Sequence, residues 1–165
     1  MAGIGSRVHV YKVRAGILMH TMKGHKDAVY ATAYAFDGQR FATGGADRVV
    51  IVWSKEATGL LKYSHSTAVQ CLAYNAITQQ LASGAVDDLG LWHPEQSSVQ
   101  KVKVHAKVVS AAWSPDGMVL ATGHLDGVVV MRDKAGAETS RIVREAPVWG
   151  LCWSVDGPSG DLRLR

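Results

Sequence analysis

The chain has 165 residues with eighteen basic and fourteen acidic side chains. This mild excess does not by itself point to nucleic acid, whose binders concentrate positive charge on one face. Hydrophobic residues make up 47% and charged residues 19%, which describes a globular chain with a buried interior and excludes a disordered one. No apolar run reaches the length of a membrane span. The start, MAGIGSRVHV, has no signal-peptide core, and Ala2 stands where myristoylation needs glycine.

In chain order, Met1 to Ile4 read as the tail of a strand, Gly5-Ser6 as a turn, and Val8 to Tyr11 as a second strand. Ala15-Gly16 turns the chain into Ile17 to His20. A longer unit follows, Gly24 to Trp53: GHKDAVYATAYAFDGQRFATGGADRVVIVW. Its Asp37-Gly38 favours a tight turn, because Asp bonds its own backbone and Gly tolerates positive φ. Short β-rich runs between turn residues predict a meander of antiparallel strands. The helical spacing of three and four is not sustained.

The rest of the chain copies that unit. Val29, Val69, Val108 and Val148 recur at about 40 residues, the period of a four-stranded propeller blade. Tyr34, Tyr74, Trp113 and Trp153 keep the same phase, as do Phe41, Leu81 and Leu120. The pattern is that of the WD repeat. It predicts an all-β, partial β-propeller of about three complete blades with incomplete blades on either side. The expected divisions are residues 1–23 (the end of a preceding blade), 24–63 and 64–103 (WD repeats), 104–143 (a degenerate repeat) and 144–165 (the start of a further one). The second copy is one residue short between Asp87 and Trp92 compared with Asp47 to Trp53. The third has Arg132 in the tryptophan place. The fourth is expected to end after its first strand, since Pro158-Ser159-Gly160 breaks the pattern after Asp156-Gly157.

His25, Thr43, Asp47 and Trp53 have side chains of the types found in a catalytic triad. Their recurrence argues otherwise: His65, Ser83, Asp87 and Trp92 repeat the set, and His105, Thr122 and Asp126 repeat three of it. An active site is built once, a structural network in every blade. The donor inventory fits such a network, with indole N–H to hydroxyl, hydroxyl to imidazole, and imidazole N–H to carboxylate. Arg132 is expected to point to solvent, or alternatively to contact an anion or a partner. No catalytic, cofactor or metal site is expected, and the chain reads as a non-enzyme.

Cys71 and Cys152 fall in apolar strands and are expected to be buried, reduced thiols, implying a reducing compartment. Lys101 and Lys103 share one face of a strand, and no aromatics interleave there for base stacking, so nucleic acid is not an expected partner. The Gly-rich stretches Gly3 to Ser6 and Gly44-Gly45 lack a phosphate-loop lysine and a following helix.

Two stretches carry a closer resemblance: MKGHKDAVYATAYAFDGQRFATGGADRVVIVW and LKYSHSTAVQCLAYNAITQQLASGAVDDLGLWHPEQ. The YNAIT turn, the shortened DDLGLW ending and the HPEQ loop resemble the amino-terminal propeller of a WD-repeat subunit of intraflagellar transport complex A. A degenerate third repeat belongs to that family too. The resemblance spans roughly residues 5 to 153. It implies a non-catalytic scaffold, bound to other subunits of that complex and to ciliary membrane cargo adaptors. It also implies retrograde transport and cilium assembly as the role, with the cilium and its base as the location. The alternative is a generic WD-repeat adaptor of another cytoplasmic complex, binding peptides or ubiquitin.

Overall fold

Turn chemistry sets the strand ends. The computed structural model describes residues 1–154 and 161–164. In it Gly38 (φ 67°) and Gly117 (φ 71°) take the left-handed backbone, which glycine reaches without a Cβ clash. Asp37 and Asp116 each accept the amide N–H two residues on, from Gln39 at 2.9 Å and Met118 at 3.0 Å. In the second repeat Ile77-Thr78 stands in place of Asp-Gly, and Asn75, two residues earlier, accepts through Oδ1 from the Ile77 and Thr78 N–H groups. The Asp156-Gly157 turn and the Pro158-Ser159-Gly160 break lie outside the described residues.

Between the turns the described residues form seventeen strands and one 3₁₀ turn, Val13–Ala15. Strands β1 (Ala2–Ile4), β2 (Arg7–Lys12) and β3 (Ile17–Lys23) form a three-stranded sheet. Three four-stranded sheets follow. The first holds β4 (Val29–Tyr34), β5 (Arg40–Gly45), β6 (Val49–Ser54) and β7 (Gly59–Ser64). The second holds β8 (Cys71–Tyr74), β9 (Leu81–Gly84), β10 (Asp88–Trp92) and β11 (Gln100–Lys103). The third holds β12 (Val108–Trp113), β13 (Leu120–His124), β14 (Val128–Arg132) and β15 (Glu138–Val143). A last pair, β16 (Leu151–Trp153) and β17 (Leu162–Leu164), is antiparallel with Trp153 opposite Leu162. The fourth unit therefore continues past its first strand, correcting the sequence expectation. From β17, Leu162 packs against the cluster of Ala121, Val129 and Val148.

The apolar core lies between sheets. Side chains alternate across a strand, so Val50 and Val52 of β6 face forward onto Val69, Leu81 and Trp92 of the next blade. Ile51 and Trp53 face back onto Val8 and Met22. Ala82, Leu89 and Leu91 meet Trp113 and Leu120, and Ala121 and Val129 meet Val148. A strand covered on both faces reads as an unbroken apolar run, as VVIVW of β6 does. Burying one side chain such as Phe41, Leu89 or Leu120 contributes about 1.5–3 kcal/mol. The sheets stack like a fan, with β4, β8, β12 and β16 neighbouring one another along its inner side. This is the all-β partial propeller that the repeat predicts.

Cys71 is packed against the Gly84 backbone, and burial pushes its thiol up to about 12. Cys152 is exposed, contrary to expectation. Its neighbours Leu151 and Trp153 face the third blade's core, so the pleat turns Cys152 the other way.

Candidate functional site

In the first four-stranded blade the structure brings His25, Thr43, Asp47 and Trp53 together. The His25 imidazole donates through Nδ1 to both Asp47 carboxylate oxygens, each 3.0 Å away. Its Nε2 lies 2.7 Å from the Thr43 hydroxyl, which also receives the Trp53 indole N–H at 2.9 Å. Burial pushes the Asp47 carboxyl up. Hydrogen bonds from the Lys26 N–H, His25 and the Val49 N–H outweigh that and hold it below its ordinary value. Strand pairing sets the geometry: Thr43 sits opposite Ile51 in the β5–β6 ladder, two residues before Trp53.

The second blade differs from the sequence expectation at two points. His65 bonds Asp88, not Asp87. Asp87 instead accepts from the Ser66 and Thr67 hydroxyls at 2.7 and 3.1 Å. The cause is the missing residue: the turn before β10 is shorter, so the strand begins at Asp88 and carries that carboxylate under the imidazole. Trp92 is the second correction. The Ser83 hydroxyl receives the Tyr63 phenol at 3.0 Å, and the Trp92 indole donates to the Gln96 carbonyl at 3.3 Å. His65 Nε2 remains 2.8 Å from Ser83. Lys101 adds a cation 3.2 Å from Asp88 and 5.5 Å from the centre of the Tyr63 ring.

The third blade is rewired further. His105 pairs with Asp126 at 3.1 Å near the surface, but it does not reach Thr122. His124 does, with Nε2 3.1 Å from the Thr122 hydroxyl. The other ring nitrogen donates to the Ala106 carbonyl at 2.8 Å. The two imidazoles lie against each other, ring centres 4.5 Å apart. Burial depresses the affinity of His124 for a proton. Arg132 is only 5% exposed, so the expectation that it points to solvent is corrected. Its Nη1 donates to the Gly136 carbonyl at 3.0 Å, while its buried Nε has no hydrogen-bond partner among the described residues.

His124, Asp88 and Tyr63 were not found by sequence reasoning. Asp88 had a signal in the shortened Asp87-to-Trp92 spacing. His124 had one in lying two residues after Thr122, hence on the same face of the strand. Chemically, these arrangements tie the imidazoles, hydroxyls and carboxylates of the described residues to one another. Among the described residues no group of three or more His, Cys, Asp or Glu is placed to hold a metal ion. No helix among them is long and apolar enough to cross a membrane.

Repeated blades with His, hydroxyl and carboxylate chains inside them define a WD-repeat β-propeller. Residues 1–162 match the family model described as the first β-propeller of IFT122. The chain is 47% identical over 154 residues to the intraflagellar transport protein 122 homolog of Homo sapiens, covering 91% of this chain and 12% of that protein. It is likewise 47% identical over 161 residues to the homolog of Danio rerio, covering 95% and 13%. A more distant likeness, 31% over 139 residues, is to a WD repeat, SAM and U-box domain-containing protein of Danio rerio. The chain belongs to the IFT122 first-propeller family. It spans about an eighth of the length of those intraflagellar transport relatives.

Proposed function

We propose that this propeller is a non-catalytic interaction scaffold within a subunit of intraflagellar transport complex A, acting in retrograde ciliary transport and cilium assembly. The family match across residues 1–162 carries this reading. Its partners are the other subunits of that complex, with ciliary membrane cargo adaptors beyond them, and it works in the cilium and at its base. The polar chains inside the blades fix strand register and rigidity, since a fully satisfied buried network specifies one arrangement. A rigid fan with its reactive side chains paired internally suits binding, and function on such a scaffold resides in its surfaces.

The test is immunoprecipitation from ciliated cells with an antibody raised against this chain, read by mass spectrometry. Recovery of a large protein together with complex A subunits is the expected outcome. Recovery of unrelated partners only, with no ciliary protein among them, would overturn the assignment.

A further inference from the structure

The chain's excess positive charge sits in one sheet and the loop after it. Residues 1–26 hold Arg7, Lys12, Arg14, Lys23 and Lys26 and no acidic residue, while the remaining residues hold thirteen basic and fourteen acidic side chains. Arg7 and Lys23 are direct register partners across β2 and β3. Like charges opposite each other destabilise a ladder, and neither forms an ion pair among the described residues.

The same sheet ends in an edge that is charged only at its far end. Strand β3 pairs with β2 on one side only. Its counterparts in the other blades carry charge along the outer strand: Lys62 in β7, Lys101 and Lys103 in β11, and the ion pair of Glu138 with Arg141 in β15. Charge of this kind normally blunts an edge against pairing. Strand β3, like β7, has one lysine, but it stands at the last residue, Lys23. The strand opens with Ile17, Leu18 and Met19, which are 57%, 46% and 52% exposed, while Val13 at the tip of the hairpin is 89% exposed.

We propose that the outer edge of β3 is a docking site for an extended, acidic segment of a partner protein, which adds to the sheet as a further strand. Main-chain hydrogen bonds to the free edge would supply affinity, and alternate side chains specificity. Apolar residues of the segment meet Leu18 and Met19. Its carboxylates meet Arg14 and Lys12 at one end and the unrelieved Arg7 and Lys23 pair at the other. A second copy of this chain does not fit, because its own β3 would bring the same positive charges. The exposed residues that open the strand, Ile17, Leu18 and Met19, are aliphatic and offer bases no stacking surface.

The experiment measures fluorescence anisotropy of labelled peptides with the intact chain, one peptide alternating valine and glutamate and the other valine and lysine. Hydrogen exchange follows the amides of each outer strand. The glutamate peptide is expected to bind at least about tenfold tighter, weaken with added salt, and protect the amides of Ile17–Lys23. Arg14→Glu and Lys23→Glu alter exposed side chains, and each should weaken it about tenfold with unchanged melting temperature. Equal binding of the two peptides would overturn the proposal, as would protection on another outer strand. So would binding of phosphatidylserine vesicles or of a single-stranded oligonucleotide when the glutamate peptide does not bind.

Discussion

His124 places its Nε2 3.1 Å from the Thr122 hydroxyl, the contact that His25 makes with Thr43 at 2.7 Å in the first blade. The imidazole reaches the same hydroxyl from a different direction, from within β13 itself and not from the loop ahead of the blade. His105, which holds the loop position, is left as a surface partner of Asp126.

The first prediction follows from that exchange. His124→Ala takes the donor from the buried Ala106 carbonyl and leaves the Thr122 hydroxyl with the Val130 carbonyl alone, and should destabilise the chain by about 1–3 kcal/mol. His105→Ala removes a partly exposed ion pair and should change stability by no more than about 1 kcal/mol. Urea midpoints of the two variants decide the matter. A larger loss at His105 would return the network to the arrangement read from the repeat alone.

The second blade offers a parallel test. Asp88 is bonded to His65 and to Lys101, whereas exposed Asp87 accepts only from two hydroxyls at the loop surface. Asp88→Asn should therefore lower stability by about 1–3 kcal/mol, since one partner of a part-buried charged pair is lost. Asp87→Asn should lower it by less than about 1 kcal/mol. Equal midpoints for the two variants would contradict the observed pairing.

The regular part of this fold is legible in sequence and the irregular part is not, for a physical reason. Val29, Val69, Val108 and Val148 recur because each fills the same gap between neighbouring sheets, and that gap recurs with the blade. His25, Thr43, Asp47 and Trp53 keep the spacing of the repeat and meet in space. Asp88 displaces Asp87 because one residue is missing from a turn, which shifts the register of a strand start. Tyr63 displaces Trp92 because two donors compete for one hydroxyl. His124 displaces His105 because an imidazole beside Thr122 reaches it without crossing the blade. A periodic template carries no information about such competitions. Arg132 shows the same limit: its burial depends on Gly136, whose left-handed backbone (φ 84°) presents a carbonyl to the guanidinium.

Two buried imidazoles give stability a pH dependence of defined sign. Burial is the main cause holding His65 and His124 below the ordinary 6.5. The Asp88 bond opposes it for the first, and the Ala106 carbonyl opposes it for the second. The unfolded chain takes up these protons near 6.5 and the native chain only at lower pH. Between those points the unfolded state binds more protons, so stability is full above 6.5 and falls as pH drops below it. Asp47, held below its ordinary 3.8, adds a second loss only as pH falls beneath that value. Urea midpoints are expected to decline between about pH 7 and pH 5, and His124→Gln should flatten part of that slope. A midpoint that rises on acidification through this range would reverse the sign.

The last prediction concerns backbone approach at Gly45. This residue ends β5, pairs with Val29, and gives its carbonyl to the Val69 N–H at 3.0 Å, linking the first blade to the second. A Cβ built there would lie 2.0 Å from the Ala28 carbonyl oxygen and 2.8 Å from the Val29 Cα, both main-chain atoms. The Ala28 carbonyl already accepts the Ala46 N–H at 2.8 Å, so it cannot turn aside without breaking that bond. Gly45→Ala must therefore move the strand, and should cost more than about 3 kcal/mol, in the range reserved for strain or a broken network. Gly16→Ala provides the comparison. Gly16 has a positive φ of 64° but open space around its Cβ position, so the loss there should be only the left-handed strain of about 1–2 kcal/mol. Thermal and urea unfolding of the two variants measure the difference. Equal losses would mean that the Ala28 loop gives way freely, and the close approach would not be what selects glycine at position 45.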